Sequence, residues 1–260
     1  MTADATTGPP LPPAHAFLRG AGLVLRRELA AWFGGAIAYV VLVVSLLAVG
    51  SLFVHEFFAA GKLDMAPFFD RLPLVLVLLA PAISMRSWSE DRKQRTFELW
   101  MTLPLEPAQI VLGKYAASLC LYAVFLAGTL PLPLMLFALG RPDPGPITAG
   151  YAGAALLGAL FLAIGQLFSS LTGDQIVAFL ASSFTCAFLV ATGEARVVDG
   201  LDGLAPAVAP GSLLADWVAA TPRYEAFARG LLTASGCVYF VGLSALLLAW
   251  NSAAVSGRRT

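Results

Sequence analysis

The sequence GGAIAYVVLVVSLLAVGSLFV, residues 34–54, runs for 21 residues without a charged side chain. An α-helix rises 1.5 Å per residue, so about 20 residues cross the roughly 30 Å hydrocarbon layer of a membrane. This stretch alone predicts a membrane-spanning helix. Of the 260 residues, 58% are apolar and 12% are charged, whereas soluble domains carry about 25% charged residues. The composition therefore predicts a polytopic, all-α membrane protein and argues against a soluble one.

Five further apolar stretches predict five more spans. Prolines 131 and 133 predict a bend within the third span, because proline interrupts helical hydrogen bonding. Four residues, 172–175, separate the fourth and fifth spans, so these two form a tight helical hairpin. The six predicted spans cover residues 34–54, 68–85, 110–139, 151–171, 176–192 and 230–250.

Small residues recur every four positions in the fourth predicted span, at Gly150, Ala154 and Gly158. This spacing places them on one face of a helix and lets a neighbouring helix approach closely. We therefore expect these three residues to form a helix-packing site.

The segments outside the spans also have distinct patterns. Residues 1–13 are small, polar and proline-rich, which predicts a disordered cytoplasmic tail ahead of a single transmembrane domain, 14–260. Residues 14–33 predict an amphipathic helix lying along the membrane surface. Residues 194–229 mix charged and apolar side chains, which predicts short helices at the outer interface. On the amphipathic helix, one side carries Leu18, Gly22, Leu25, Leu29 and Trp32, and Arg19, Arg26 and Arg27 lie away from it.

Basic residues near the span ends predict the orientation, because cytoplasmic loops are enriched in Lys and Arg. With six spans and a cytoplasmic N-terminus, ten of the sixteen basic residues lie inside. Both termini and residues 86–106 are then cytoplasmic, and residues 194–229 lie on the opposite side. We expect a multi-pass membrane protein, and the family resemblance described below implies that its membrane is the bacterial inner (plasma) membrane.

The connection between the second and third spans carries seven charged residues between Arg86 and Glu98. Each would cost about 2.5 to 3.5 kcal/mol at the centre of a bilayer, so this segment lies outside the membrane. Ser87 and Glu90 have the spacing of a capping box, which predicts the start of a helix. The pattern predicts one helix over about 88–103, ended by the prolines that follow it.

Three strings resemble the permease subunits of type-two ABC exporters. The most specific is SWSEDRKQRTFELWMTLPLEPAQIVLGK, residues 87–114, with its charged run, a Thr two residues before a Glu, a Thr-x-Pro stop and an Ile-x-x-Gly-Lys entry. LRRELAAWFGGAIAYVV, residues 25–41, and PRYEAFARGLL, residues 222–232, resemble the gliding-motility-associated branch of that family.

The resemblance implies a function. The chain would be the non-catalytic, membrane-spanning subunit of an ATP-driven export complex, paired with a second permease copy or paralogue to form the transport path. The helix over 88–103 would be the coupling helix that docks on a separate ABC ATPase, which binds ATP and Mg. A periplasmic auxiliary protein is a further partner implied by the branch, alongside membrane lipid. The coupling residues implied by the resemblance are Glu90, Asp91, Arg92, Arg95, Thr96, Glu98, Leu99, Thr102 and Pro104.

Two other classes are the alternatives: an ion-coupled secondary transporter or channel, and a membrane-embedded enzyme. The first needs ionisable groups deep in the spans, where the sequence pattern shows Gln166 with scattered Ser and Thr. Gly113 and Lys114 lack the rest of a phosphate-binding loop, and His55 lacks the second histidine of a zinc motif. We therefore expect no cofactor or metal on this chain. With sixteen basic and sixteen acidic residues, nothing favours a nucleic-acid partner.

Overall fold

The computed structural model of the protein describes residues 13–60, 64–94, 96, 100, 105–204 and 209–257. Within these residues the chain is helical and has no strand, which confirms the all-α prediction. The predicted tail lies outside the described residues except for its last residue, Pro13, which begins the first helix. The twelve helices of the described residues are α1 (Pro13–Phe33), α2 (Ala36–Ala60), α3 (Ala66–Ser84), α4 (Arg86–Lys93), α5 (Pro107–Thr129), α6 (Pro131–Leu139), α7 (Pro144–Leu171), α8 (Gln175–Ala191), α9 (Ala195–Leu204), α10 (Pro210–Trp217), α11 (Thr221–Ala228) and α12 (Ala234–Ser256).

Five helices or nearly continuous helix pairs of the described residues are long and apolar enough to cross a membrane. They are α2, α3 with α4, α5 with α6, α7, and α12. A sixth candidate is α8 with α9, two helices bent by 80° at the break between them. The 17 residues of α8 rise only about 26 Å, slightly less than the hydrocarbon thickness. The protein is therefore a polytopic helical membrane protein, as its composition predicts.

The most deeply buried span is α7, whereas α2 and α12 expose most of their apolar surface. Close packing against α7 depends on its small residues. A Cβ atom on Gly150 would lie 2.5 Å from the ring of Phe69 on α3, and one on Gly158 would lie 2.2 Å from Tyr122 on α5. The Tyr122 hydroxyl donates to the Ala154 carbonyl at 2.7 Å. The three small residues noted in the sequence thus lie against two different helices.

Several helix ends differ from the predicted ones, for local reasons. The third predicted span is two helices that meet at Leu130, directly before Pro131. The fourth begins earlier than predicted, because Asp143 caps it by accepting from the Gly145 N–H at 2.9 Å. The last begins four residues later than predicted, after Gly230, whose φ of +90° is incompatible with a helix.

The bundle has two ends, which we name after the short helices found there. At the α4 end lie α1, α4, the start of α5 and the last turns of α7 and α12. At the α11 end lie the last turns of α2 and α8, the first turns of α3, α7 and α12, and α11 itself. The predicted segment 194–229 contains three short helices, α9, α10 and α11.

Hydrogen bonds from two residues of α11, Thr221 and Tyr224, fasten it to the bundle. The Tyr224 hydroxyl is buried and donates to the Phe69 carbonyl on α3 at 2.9 Å. Burial raises the pKa of this hydroxyl well above its ordinary value. The hydroxyl therefore stays protonated, and can donate, throughout the physiological pH range.

Candidate functional site

The residues implied as coupling residues divide into two groups. Glu90, Asp91 and Arg92 lie on α4, and Thr96 lies just beyond it. The others lie outside the described residues: Arg95, Glu98, Leu99, Thr102 and Pro104.

The predicted single helix over 88–103 is wrong in its extent. The helix begins at Arg86 and ends at Lys93, and Gln94 is in a turn. Two hydrogen bonds connect Asp91 with Thr96 across the end of α4. The Asp91 carbonyl accepts from the Thr96 N–H at 2.9 Å, and the Asp91 carboxylate accepts from the Thr96 hydroxyl at 2.9 Å. Hydrogen bonds of this kind, between a residue near a helix end and a residue a few positions later, compete with continuation of the helix.

The predicted capping box of Ser87 and Glu90 is also absent. The residue at the N-cap position is Met85, and no side-chain cap is formed. Glu90 instead accepts from Arg86 at 2.6 Å and from the Gln94 side chain at 3.1 Å.

Three charged side chains from three different helices meet at the α4 end. The Lys114 ammonium of α5 lies 2.7 Å from a Glu28 carboxylate oxygen on α1 and 2.7 Å from Asp91 Oδ2 on α4. The Lys114 side chain is 1% exposed, and those of Glu28 and Asp91 are 16% and 12% exposed. We call these three residues the charged triad. It ties the amphipathic helix, α4 and a membrane span to one buried cation.

Two tryptophans enclose the charged triad. The Lys114 ammonium lies 5.2 Å from the ring centroid of Trp88 and 5.5 Å from that of Trp100, within the range of a cation–π interaction. The Trp100 indole N–H donates to Asp91 Oδ2 at 3.1 Å. The Arg27 guanidinium also lies 4.4 Å from the ring centroid of Trp100. The buried ammonium therefore has both anionic and aromatic neighbours, which offset the cost of removing it from water.

The triad carries one positive and two negative charges. Removing a single partner from a buried ion pair leaves an uncompensated charge and typically costs about 3 to 5 kcal/mol. Glu28, Lys114 and Asp91 therefore hold their three helices in one arrangement. A cavity of about 140 Å³ opens beside them between α1 and α4, with Arg27 and Glu90 among its lining residues.

A second contact holds α4 from the other side. The Arg92 guanidinium donates to the Ser170 carbonyl in the last turn of α7. The C-terminal carbonyls of a helix carry partial negative charge, so a cation is stabilised there. The remaining side of α4 is open, with Lys93 and Gln94 exposed. This short polar helix is thus fixed to the bundle on two sides and accessible on a third.

Reasoning from the sequence missed Glu28 and Lys114 as members of this site. A signal was present, because Lys114 is the only charged residue between Glu106 and Arg141. A lone ionisable residue in a membrane span is by default a functional candidate. Lys114 is the eighth residue of α5, so it lies near the α4 end of its span rather than in the middle of it.

The fold and this helix junction define a class of protein. It is a multi-pass helical membrane protein whose spans are tied to a short polar helix at one end, which is partly buried and exposes Lys93. The model of the family described as ABC-2 family transporter protein matches residues 68–241, which are 174 of the 260 residues. The chain belongs to this family and is a permease subunit of an ABC transporter. Subunits of this family are in general non-catalytic and work with an ATPase partner. Nothing among curated proteins matches the chain.

Proposed function

We propose that this permease subunit belongs to an ATP-driven export complex and that a separate ATPase subunit docks on α4 and on the segment that follows it. The observation that carries this proposal is the way α4 is held. Its buried face contacts α1, α5 and α7 through charged and hydrogen-bonded side chains, while Lys93 and Gln94 are exposed. A docking helix needs both an accessible face and a firm attachment to the spans.

The charged triad suggests how a force applied to α4 would reach the membrane. Asp91 on α4 and Glu28 on α1 share the Lys114 ammonium, at 2.7 Å each. Separating such ions in a buried site is costly, so the three helices move together rather than slide past each other. A displacement of α4 by the ATPase would then shift the first turns of α5 directly.

Other parts of the proposal rest on the family and on the sequence. Two permeases, identical or paralogous, would pair, and the exposed apolar faces of α2 and α12 leave surface for this contact and for lipid. The basic residues favour cytoplasmic termini in the bacterial inner membrane. ATP and Mg would bind only to the partner, because Gly113 and Lys114 do not form a phosphate loop. The gliding-motility-associated branch, with its periplasmic auxiliary protein, stays a prediction from residues 25–41 and 222–232.

The direct test reverses one exposed charge on α4. We expect Lys93→Glu to lower the ATP turnover of the reconstituted complex at least fivefold, because charge reversal at an interface sets like charges against each other. The matched control is Arg196→Glu, which reverses an exposed basic residue on the short helix α9 at the opposite end. Glu98→Lys beside Glu98→Gln extends the test to the segment after α4.

The outcomes separate the proposal from its alternatives. Equal turnover in Lys93→Glu and Arg196→Glu would contradict docking on α4. ATP turnover by the purified permease without any ATPase subunit would contradict its non-catalytic role. Transport driven by an ion gradient in vesicles without ATP would favour the ion-coupled alternative, for which the buried Lys114 would be the first candidate group.

A further inference from the structure

A single hydroxyl group joins the break between α3 and α4 to α7. The Ser169 hydroxyl of α7 donates to the Met85 carbonyl at 2.7 Å. The same oxygen accepts from the backbone N–H groups of Trp88 at 3.0 Å and Ser89 at 3.2 Å. Ser169 is fully buried. It therefore bonds both to the residue that ends α3 and to the first turn of α4.

This bridge replaces part of the backbone hydrogen bonding at the junction between α3 and α4. Met85 lies between α3 and α4, and in a continuous helix its carbonyl would accept from the Ser89 N–H. Instead, the Met85 carbonyl accepts from the hydroxyls of Ser89 and Ser169, and the Ser169 oxygen accepts from the Ser89 N–H. A side chain inserted into the helical hydrogen-bond ladder can bend a helix, and here α3 and α4 still form one nearly continuous candidate span. The N–H groups at the start of α4 thus have their partner on another helix rather than in a local cap.

The neighbouring contacts bring α7 as close to the break as two helices can come. A Cβ atom on Gly165, one turn before Ser169, would lie 1.8 Å from the Ser84 hydroxyl oxygen. Beyond Ser169, the Ser170 carbonyl accepts from Arg92 on α4. Gly165, Ser169 and Ser170 together hold the last two turns of α7 against the end of α3 and the whole length of α4.

The contact continues from α7 into α8. Residues 172–174 form the turn between these helices, and Asp174 caps α8 by accepting from the Ile176 N–H at 2.7 Å. Arg92 and Lys93 line a cavity of about 410 Å³ with this turn. A change in the position of α4 therefore acts on the α7–α8 hairpin at its closed end, while the charged triad acts on α1 and α5.

We propose that Ser169 is a positioning residue that links the angle between α3 and α4 to the α7–α8 hairpin, so that docking at α4 moves the far end of that hairpin. This rests on the proposed docking of an ATPase at α4. Its three hydrogen bonds span the break, and a change in the angle at Met85 must either move Ser169 or break them. Neither the charged triad nor the exposed face of α4 includes this residue.

The test uses Ser169→Ala with Ser170→Ala as the matched control. Ser170 is the next residue and is equally buried, but its hydroxyl bonds only within its own helix, to the Leu167 carbonyl at 2.7 Å. Both variants are reconstituted with the co-expressed ATPase subunit. A bimane fluorophore on a cysteine at position 188, at the α11 end of α8, reports movement of the hairpin on addition of ATP. Ser169→Cys, of nearly the same volume, replaces Ser169→Ala if that variant does not fold.

We expect Ser169→Ala to retain at least half of the ATP turnover and to lose at least 80% of the ATP-dependent fluorescence change, with Ser170→Ala like the wild type in both. Hydrogen exchange of the Trp88 and Ser89 amides should also be at least tenfold faster in Ser169→Ala. An unchanged fluorescence response in Ser169→Ala would overturn the proposal, as would an equal loss in Ser170→Ala or a parallel loss of turnover. A wild-type complex without any ATP-dependent response would instead overturn the proposed function, and the role of Ser169 with it.

Discussion

Ion pairs occur at both ends of the bundle, and the two ends differ in how far those pairs are exposed to solvent. At the α4 end, the Lys114 ammonium is buried between carboxylates of two other helices. At the α11 end, Arg71 pairs with Glu56 at 2.7 Å, but their side chains are 52% and 29% exposed. The pair of Glu225, on α11, with Arg229, which directly follows that helix, is more exposed still.

This difference has an energetic meaning. Exposed ion pairs typically contribute about 0 to 1 kcal/mol, since water and salt screen them. A buried cation cannot lose its partners without a penalty several times larger. The α4 end is therefore built to keep one arrangement of helices, whereas the charges of the α11 end can rearrange at little cost. A cavity of about 720 Å³ at that end, with Asp70 and Glu194 in its lining, fits this looser arrangement.

Removing the buried cation, Lys114, gives the strongest test of this difference between the two ends. We expect Lys114→Met to lower the free energy of unfolding by about 3 to 5 kcal/mol, because Glu28 and Asp91 would then face each other without a cation. Denaturation in mixed micelles measures the unfolding free energy of the variant and of the wild type. In a double-mutant cycle, Glu28→Gln should recover part of this loss, with a coupling energy of about 1 to 3 kcal/mol. Additive effects of the two changes would contradict a shared ion pair.

A second prediction is a smaller change in stability, in the opposite direction, from replacing a buried polar side chain at the α4 end. Asn251 on α12 is fully buried, and neither the oxygen nor the nitrogen of its side-chain amide has a hydrogen-bond partner among the residues that the structure describes. An unpaired buried polar group costs about 1 to 3 kcal/mol, so Asn251→Leu should stabilise the protein by up to this amount. The control is Ser244→Ala on the same helix, which removes a hydroxyl paired with the Phe240 carbonyl at 2.7 Å and should destabilise it. A less stable Asn251→Leu variant would show that the amide is paired.

We expect the smallest change in stability when an exposed ion pair at the α11 end is removed. Arg71→Gln removes the cation of an exposed pair, and we expect the unfolding free energy to fall by less than about 1 kcal/mol. Raising the salt concentration should shrink even this difference, because exposed charges are screened. The matching change, Arg229→Gln, should behave alike. A loss as large as that of Lys114→Met would mean that the α11 end is as firmly held as the α4 end.

The fold was largely predictable from the sequence, and the candidate site only in part. Residues 34–54 identify a span by themselves, because apolar length against bilayer thickness is a local property. The break before Pro131 and the start of α5 at Pro107 follow equally locally from proline. The segment carrying α4 was found through its charge and its resemblance to known permeases, yet its capping and its extent were both predicted wrongly.

What the sequence by itself determined is thus a helical membrane protein with a polar connection that cannot enter the bilayer. The tertiary structure alone decided what holds that connection. Glu28 and Lys114 are 86 residues apart in the chain, and Trp88 is 81 residues from Ser169. Neither pairing leaves a periodic pattern, because each depends on which helices become neighbours. The first turn of α4 could accept a local cap or a distant hydroxyl, and only the packing of α7 against α3 brings Ser169 within reach.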